Sequence, residues 1–427
     1  MNLFKLSLRL NGYNIPAARA RLRENASKDL HVKVARFHLE HNPFYQDFTG
    51  EKTLKSWEAL PVLKKRDLQI PLDKRLSEGY HFKNIYKGST SGSSGKPFTF
   101  AKDKFTHALS WASFYDAYDQ YNIDLSQDLQ ARFYGIPLRG RAHYQERFKD
   151  FVSGRYRFPI FDLSEWAMMQ FLKQFKKSAF TYLNGYTSSI LRFSEFLQTQ
   201  DIVLKEVCPH LKLAIVTSEM LFEKDRKLIQ NALGVPVINE YGASETGLIA
   251  FENSQNKLII DDKLLYVEVL DDAGKVLPYG EKGRIVITSL YNKAHPFIRY
   301  EIGDLGTLQK DTESGKIYIE KLHGRTSDFV YLPSGKTVPG LAFYYVTKKA
   351  MQSTASISEF IVKQTHRDHF IVHYVSIKQL SEKEEKELLY EMIAYLEPGI
   401  TVNFIRVDQL KRSKSGKLKQ FTGLARP

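Results

Sequence analysis

The stretch 88–97, Gly-Ser-Thr-Ser-Gly-Ser-Ser-Gly-Lys-Pro, combines three glycines, five hydroxyl side chains and one lysine within ten positions. Glycine lets backbone N–H groups approach an anion closely, and serine and threonine add hydroxyl donors. Lys96 adds a positive charge, so the pattern predicts a phosphate-binding loop. It is not a Walker A loop, because Thr90 stands in place of the first glycine and Pro97 follows the lysine. A flexible polar linker is the alternative interpretation.

A second polar segment, Asn-Glu-Tyr-Gly-Ala-Ser-Glu-Thr-Gly at 239–247, directly follows a predicted strand. Tyr241 offers a flat ring on which a base can stack. Glu245 offers a carboxylate that can hold Mg²⁺ beside phosphates, because Mg²⁺ prefers oxygen ligands. The segment predicts nucleotide and metal contacts, and an ordinary polar loop is the alternative.

Three further segments place charged side chains near predicted turns. In segment 299–304, Asp304 follows a predicted strand and a glycine, where a carboxylate can accept two ribose hydroxyls. In segment 324–328, Arg325 can bond ribose or phosphate, and its small neighbours can form a hinge. Segment 411–417 lies in the densest basic cluster of the chain, which covers 411–419. A turn aspartate and a solvated basic tail are the simpler interpretations.

The elements that must position these residues begin with a region, roughly 20–80, that is predicted to be helical with an irregular stretch at 42–45. The glycine-rich loop is predicted between a strand at 84–87 and an extended piece at 97–100. A helix follows, and its buried face is predicted from apolar residues at helical spacing. These residues are Phe105, Ala108, Leu109, Ala112 and Tyr115.

The middle of the chain alternates predicted helices and strands. The helices cover 166–175, 188–198 and 224–233, and the strands cover 211–217 and 235–239. Gly234 is the expected C-cap of the third helix, and the strands beside it predict a βαβ unit of a parallel sheet. Ligands bind at the carboxyl ends of such strands. Residues 218–219 and 240–241 are therefore predicted to lie at the functional edge.

From residue 264 onward, short strands and tight turns predict an antiparallel or barrel-like subdomain, and a small α+β unit follows residue 324. The predicted strands are 264–270, 283–290 and 297–300, then 329–332, 359–364, 369–376 and 401–407. A helix at 382–396 begins with a capping box of Ser381 and Glu384. The predicted fold class is α/β. It has a large N-terminal domain with doubly wound α/β sheets and a barrel-like β subdomain, and a small mobile α+β C-terminal domain, with a boundary near 323–328.

Composition narrows the classes of protein. The chain has 427 residues with 43% hydrophobic and 26% charged, which is typical of a globular protein of two or three domains. Cys208 is the single cysteine, so an internal disulfide framework is excluded. No run of 18 apolar residues and no signal peptide are recognised, so we expect no transmembrane segment. The single cysteine fits a reducing compartment, and we expect a cytoplasmic protein.

The formal net charge of +14 allows binding to nucleic acid, to an anionic membrane surface or to polyanionic small molecules. Lysines and arginines are spread along the chain rather than gathered in a tail. A solvated basic surface is favoured over nucleic-acid binding. Peripheral contact with an anionic membrane stays open, and the sequence does not indicate an oligomeric state.

Five motifs, in their order, resemble the acyl-adenylate-forming superfamily of acyl-CoA ligases, peptide-synthetase adenylation domains and luciferases. They are the loop at 88–97, Tyr-Gly-x-x-Glu at 241–245, Tyr-x-x-Gly-Asp at 300–304, Gly-Arg-x-x-Asp at 324–328 and Ser-Gly-Lys at 415–417. Segments 41–45, 60–68 and 294–300 resemble the phenylacetate–CoA ligase branch, which includes proteins encoded with capsule or lipopolysaccharide genes.

The resemblance implies an adenylate-forming ligase with an adenylation domain at 1–323, which binds ATP and acid, and a lid domain at 324–427. A carboxylic acid would form an acyl-AMP with release of pyrophosphate, using Mg²⁺, and the acyl group would then pass to coenzyme A. The alternative acceptors are an amine of a sugar and a carrier-protein phosphopantetheine, in polysaccharide or secondary-metabolite biosynthesis. An inactive nucleotide-binding scaffold is the alternative of another class.

The resemblance also implies roles for residues. The implied catalytic residues are Lys417, Glu245 and Lys96, with Glu245 as the Mg²⁺ ligand and Lys417 reaching the α-phosphate. The phosphate loop is implied to comprise Ser89, Thr90, Ser91, Gly92, Ser93, Ser94 and Gly95. Adenine and ribose contacts are implied for Glu219, Glu240, Tyr241, Gly242, Ser244, Asp304 and Arg325. An acyl pocket is expected around Tyr134, Gly135, Tyr186 and Tyr241, where aromatic rings favour an aryl acid and plain core packing is the alternative.

Two positions depart from the family pattern. Ser327 occupies a hinge position that is usually acidic or lysine, which bears on the domain rotation between half-reactions. Lys411 and Arg412 replace the Pro-Lys of many relatives.

Overall fold

The computed structural model describes residues 3–24, 29–89, 99–135, 140–160, 163–325, 329–335, 337–339, 343, 357–411, 419 and 421–424. Helices of the described residues are α1 (Leu3–Leu10), α2 (Ile15–Arg23), α3 (Leu30–His41), α4 (Pro43–Thr49), α5 (Lys104–Asp119), α6 (Gly140–Val152), α7 (Glu165–Lys177), α8 (Thr187–Thr199), α9 (Leu204–Val207), α10 (Glu223–Leu233) and α11 (Glu382–Tyr395). Short 3-10 helices cover Lys65–Leu68 and Leu72–Arg75.

Strands of the described residues are β1 (Ile85–Ser89), β2 (Thr99–Asp103), β3 (Gln130–Tyr134), β4 (Arg155–Pro159), β5 (Tyr182–Tyr186), β6 (Leu213–Thr217), β7 (Val237–Ala243), β8 (Gly247–Glu252), β9 (Leu258–Ile260), β10 (Leu265–Leu270), β11 (Lys282–Ser289), β12 (Tyr300–Lys310), β13 (Ile317–Arg325), β14 (Phe329–Tyr331), β15 (Thr337–Pro339), β16 (Ile357–His366), β17 (His369–Ser376), β18 (Thr401–Arg406) and β19 (Phe421–Thr422).

One sheet dominates the larger part of the molecule. Its strand order is β10-β11-β12-β13-β9-β8-β7-β6-β5-β3-β4. Strands β4, β3, β5, β6 and β7 run parallel, whereas β8 and β9 continue the sheet in antiparallel pairs. The strands predicted to form a barrel-like subdomain lie at the far end of this same sheet. The α/β fold class is confirmed.

β5 and β6 are buried along their whole length, as the near-continuous apolar run at 211–217 predicts for β6. In β6, Ala214 and Val216 belong to one buried cluster, whereas Leu213 and Ile215 belong to another that includes residues of α5. Helix α10 connects β6 to the parallel strand β7 and ends at Gly234, which has φ +68°. The predicted βαβ unit and its C-cap are therefore present.

Several predicted elements differ from the structure because of partners distant in sequence. β7 continues to Ala243 rather than ending at 239, because it pairs with the antiparallel strand β8. The strand predicted at 297–300 instead begins at Tyr300 and continues to Lys310. The helical prediction for 20–80 fails beyond α4, where only the two 3-10 helices occur among the described residues. Phe105 is 43% exposed and does not belong to the buried face of α5.

Contacts divide the chain into two compact units, Met1–Ile302 with Thr307–Glu320, and Gly303–Gly306 with Lys321–Pro427. In the second unit, β18, β17, β16 and β19 form a sheet, and α11 begins with the predicted capping box of Ser381 and Glu384. The division of tasks between an adenylation domain and a lid domain stays a prediction. Within the described residues, no helix combines the length and apolarity needed to cross a membrane.

Candidate functional site

Two hydrogen-bonded strands flank the predicted phosphate loop. β1 and β2 are antiparallel, and Ser89 at the end of β1 is the register partner of Thr99 at the start of β2. The other predicted loop residues lie outside the described residues; they are Thr90, Ser91, Gly92, Ser93, Ser94, Gly95 and Lys96. Segment 90–98 therefore connects two strand ends that the ladder holds together.

A buried polar network supports the start of β2. Arg75, which is 1% exposed, donates to the carbonyl of Thr99 at 2.8 Å and contacts Nε2 of His295. Asn42 donates to the carbonyl of Arg75 at 3.0 Å and to Oγ of Ser77 at 3.0 Å. Asn42 and His295 come from two of the segments that carried the branch resemblance. Through Arg75, these two segments are therefore linked to the start of the strand that follows the loop.

Glu245 lies in the turn between β7 and β8, and its side chain is buried. The hydroxyl of Tyr300 donates a 3.1 Å hydrogen bond to Oε1 of Glu245. A carboxylate oriented by a buried donor suits a metal ligand, since partners behind the ligand fix its direction. The predicted Mg²⁺ ligand therefore has a chemically suitable setting, although its metal role stays a prediction.

Lys102 of β2 is a buried charged residue near this turn. Its Nζ donates to Oγ of Ser110 at 3.4 Å, and a Cβ added at Gly247 would lie 3.5 Å from the same nitrogen. Burial lowers the pKa of the Lys102 ammonium to about 8, and the negative charge of Glu245 opposes that lowering. The strand that follows the phosphate loop thus brings a cation to the hairpin that carries Glu245.

No role was predicted for Lys102 or Tyr300 from the sequence. Tyr300 is the first residue of the Tyr-x-x-Gly-Asp motif, so the sequence did indicate that this position could be functional. Lys102 had only a weak signal, namely a charged residue in a short strand that precedes a largely buried helix.

Residues 218–219 follow the carboxyl end of β6, as predicted. Ser218 adopts φ +69°, a left-handed conformation that costs energy for a residue with a Cβ. Oε2 of Glu219 accepts a 2.7 Å hydrogen bond from the backbone N–H of Ser188 in the first turn of α8. This carboxylate therefore stabilises a helix N-terminus, and its predicted adenine contact stays a prediction.

Glu240 and Tyr241 are successive residues inside β7, so their side chains leave the strand on opposite faces. Glu240 accepts a 2.8 Å hydrogen bond from the hydroxyl of Tyr118 in α5. Glu240 thus faces α5, and its predicted adenine contact stays a prediction, as do those of Glu219 and Tyr241. A loop was predicted at 240–241, but pairing with β8 extends the strand.

Gly242 and Ser244 belong to the same hairpin. A Cβ added at Gly242 would lie 2.9 Å from the carbonyl oxygen of Gly247, so this close approach requires glycine. Ser244 is exposed in the turn.

The structure brings together two of the predicted acyl-pocket residues. The ring centroids of Tyr134 and Tyr186 are 4.6 Å apart. The carbonyl of Gly135 accepts a 3.3 Å hydrogen bond from Arg157. Tyr241 lies in β7, and its predicted place in the acyl pocket stays a prediction.

The remaining site predictions concern the second unit. Asp304 lies within β12 rather than after a strand, which corrects its predicted setting. Arg325 is the last residue of β13. Ser327, Arg412 and Lys417 lie outside the described residues.

Comparisons with known proteins place this geometry in context. No protein-family model matches the chain. The chain is 24% identical over 393 residues to Protein CapK of Staphylococcus aureus, with 87% of this chain and 81% of CapK covered. It is 26% identical over 237 residues to phenylacetate-coenzyme A ligase of Pseudomonas putida, with 53% of each covered. The chain thus spans about half the length of that ligase.

Solved structures share the fold. The structure of 2-hydroxyisobutyryl-CoA ligase with R3-HIB-AMP matches with a TM-score of 0.67 and 16% identity, covering 96% of this chain and 89% of that one. The same ligase with 2-HIB-AMP and CoA, in its thioesterification state, matches with a TM-score of 0.57 and 17% identity over the same shares. At these identities the likeness is one of fold. Together the comparisons confirm the resemblance predicted from the motifs.

Proposed function

We propose that this chain, which belongs to the acyl-adenylate-forming superfamily and resembles its phenylacetate–CoA ligase-like branch, is an ATP-dependent acid–thiol ligase. A carboxylate oxygen of the acid attacks the α-phosphorus of ATP, the bond from that phosphorus to the β-bridging oxygen breaks, and pyrophosphate leaves. The thiolate of coenzyme A then attacks the acyl carbon, and AMP leaves. The proposed cofactors are ATP, Mg²⁺ and coenzyme A.

One observation carries the proposal most directly. β2 leaves the phosphate-loop motif and places Lys102 beside the hairpin that holds Glu245. Strand β2, which follows the phosphate-loop motif in the sequence, therefore lies beside the hairpin that carries Glu245, and this supports a single triphosphate site. A linker and an ordinary loop, the simpler interpretations of the two motifs, give no reason for this approach.

At the phosphate end, the proposal assigns complementary charges to the leaving group. Ser89 and the loop residues through Lys96 hold the departing phosphates with backbone N–H groups, hydroxyls and one ammonium. Glu245 holds Mg²⁺, which neutralises phosphate charge when bound, and Tyr300 orients the carboxylate. Lys417 of the Ser-Gly-Lys motif supplies a compact charge on a long stem where the acid meets the α-phosphate. Positioning and electrostatics then account for most of the catalysis.

At the nucleoside end, Tyr241 offers its ring to adenine, and Gly242 and Ser244 shape the turn next to it. Asp304 and Arg325 are assigned to the ribose. Acid binding is assigned to the side of the sheet where Tyr134 and Tyr186 meet. The aromatic walls there favour a flat or apolar acid skeleton.

The acceptor has alternatives that share the first half-reaction. An amine of a sugar would give an amide, and a carrier-protein phosphopantetheine would give a different thioester. Either would suit polysaccharide or secondary-metabolite biosynthesis. Coenzyme A is preferred because CoA is bound by one matched structure and phenylacetate-CoA ligase is a matched relative. A cytoplasmic location follows as part of the proposal, since ATP and coenzyme A are available there.

ATP–pyrophosphate exchange over a panel of carboxylic acids tests the ligase proposal. Exchange with at least one acid is expected, and mass spectrometry of the product formed with CoA, with an amino sugar or with a carrier protein then identifies the acceptor. Nucleotide binding without exchange for any acid would favour the inactive scaffold and overturn the proposal.

A further inference from the structure

Four neighbouring parallel strands carry a row of polar and aromatic side chains at their carboxyl ends. Tyr186 of β5 is the register partner of Thr217 of β6, which is the register partner of Glu240 of β7. Tyr134 at the end of β3 reaches the row through its ring contact with Tyr186. Register partners in a sheet share one face. Strands buried between helices ordinarily carry apolar side chains, so this polar row is distinctive, and it lies at the carboxyl ends, where parallel sheets bind ligands.

Glu240 is the charged member of this row, and it is only 9% exposed. The hydroxyl of Tyr118 donates to it at 2.8 Å, and the Thr217 side chain also forms a hydrogen bond with it. Burial raises the pKa of the Glu240 carboxyl, while these two bonds and the charge of Arg132 hold it down. A buried carboxylate persists only with such compensation.

Arg132 supplies the balancing charge on the same face. Its guanidinium carbon lies 4.3 Å from the ring centroid of Tyr134, and its charge acts on Glu240. The row therefore combines one carboxylate and one guanidinium with phenol and hydroxyl groups. A ligand with a charged group would need a further opposite charge in this buried site to offset its loss of hydration, whereas a ligand with a neutral hydrogen-bond donor would not.

We propose that Glu240 accepts a hydrogen bond from a hydroxyl group on the tail of the acid, so that the substrate is a hydroxylated carboxylic acid. This inference rests on the proposed function and adds the class of acid to it. A carboxylate offers about four lone-pair positions, and the bonds from Tyr118 and Thr217 use two of them. The apolar part of the acid lies against the rings of Tyr134 and Tyr186.

Matched pairs of acids test the inference in the wild-type protein. ATP–pyrophosphate exchange is measured with phenylacetate and 4-hydroxyphenylacetate, and with butanoate, 3-hydroxybutanoate and 4-aminobutanoate. We expect kcat/KM to be at least about tenfold higher for a hydroxylated acid than for its parent, because a site built for a hydroxyl rejects the analogue that lacks it. We expect the ammonium-bearing acid to react no better than butanoate.

The variant Glu240→Gln keeps the shape of the side chain and removes its charge. The hydroxyl preference should fall about tenfold, because hydrogen bonds to charged acceptors are stronger than neutral ones. The readout is the ratio of kcat/KM within each pair of acids, because loss of the carboxylate that balances Arg132 should also lower the thermal midpoint and the absolute rates. Tyr118→Phe is the matched control, since it removes a donor to Glu240 but leaves the carboxylate, and it should retain the preference.

The outcomes separate the inference from the proposed function. Three results would overturn the inference and leave the ligase proposal standing. They are equal exchange rates for both members of every pair, a preference for the ammonium acid, and a hydroxyl preference that survives in Glu240→Gln. Silence with every acid overturns the ligase proposal, and the inference falls with it. The wild-type comparison needs no variant, so it decides the matter even if Glu240→Gln does not fold.

Discussion

The hydroxyl of Tyr300 donates a 3.1 Å hydrogen bond to Oε1 of Glu245, although 55 residues separate them in the chain. Tyr300 is 1% exposed, so water does not compete for this bond. The bond leaves the second carboxylate oxygen in a defined direction. Two of the motifs that suggested the superfamily are thus joined by direct contact within one unit of the protein.

Tyr300→Phe removes this donor and should weaken the response to Mg²⁺. Partners behind a metal ligand typically contribute about 10- to 100-fold in metal affinity or activity, so a fall of that size in apparent Mg²⁺ affinity is expected. A Mg²⁺ titration of ATP–pyrophosphate exchange measures it. Tyr279→Phe, at an exposed position, should behave as wild type. An unchanged Mg²⁺ titration for Tyr300→Phe would remove Tyr300 from the metal site.

Lys417→Ala should lower adenylation by about 100- to 1,000-fold, the typical cost of losing one group that stabilises transition-state charge. ATP binding, followed by calorimetry, should change little. Lys411→Ala removes an exposed charge six residues earlier and should retain exchange. A Lys417→Ala protein with near wild-type exchange would show that this lysine has no part in the first half-reaction.

A buried ion pair supports the chain just before β12. Nε of Arg299 lies 3.5 Å from Oε2 of Glu268, both side chains are 2% exposed, and Arg299 donates to the carbonyl of Leu60 at 2.8 Å. Arg299→Met would leave Glu268 buried without its partner, which typically costs about 3–5 kcal/mol. Urea unfolding measures the loss.

The exposed pair of Lys55 and Glu51 provides the control for that experiment. Lys55→Ala should change the free energy of unfolding by less than about 1 kcal/mol, as is usual for surface pairs. Equal effects of Arg299→Met and Lys55→Ala would contradict a stabilising role for the buried pair.

Stability should fall as the solution is acidified because of buried His38. Burial lowers the pKa of His38 from its ordinary value of 6.5 to about 4. Between these two pH values, His38 is protonated in the unfolded chain but stays neutral in the folded protein. The contribution of neutral His38 to the free energy of unfolding is therefore complete above pH 6.5. It is lost as the pH falls toward 4, at up to about 1.4 kcal/mol per pH unit.

Comparing variants isolates this histidine from other titrating groups. His38→Gln should show a shallower decline of the free energy of unfolding between pH 6.5 and 4 than wild type does. His210→Gln, at an exposed position, should retain the wild-type slope. Identical slopes for wild type and His38→Gln would mean that folding does not change the proton affinity of His38.

Local pattern predicted the elements whose partners are near in sequence. The helix predicted at 188–198 is α8, and the strand predicted at 211–217 is β6 within two residues, because periodicity and apolar runs report directly on burial. Long-range pairing limited the rest. Glu240 and Asp304 were predicted in loops, yet Glu240 pairs with the antiparallel strand β8, and Asp304 lies within β12, which is hydrogen-bonded to β11 and β13.

The candidate site shows the same limit. Glu245 was identified from its motif, whereas the buried Lys102 near it has no motif and is identified only when β2 is seen against the β7–β8 hairpin. The face of the sheet on which Glu240 lies could also not be predicted without knowing where β7 ends. Side-chain type and spacing therefore predicted the chemistry, and strand pairing decided which groups share a surface.

β7 presents Tyr241 on one side of the sheet and Glu240 on the other. Any redesign that enlarges the Glu240 side by shifting this strand will also tilt the ring of Tyr241. Altering one surface without disturbing the second therefore calls for substitutions on neighbouring strands β3 and β5. Libraries directed at those two strands should yield more active variants than libraries directed at β7 itself.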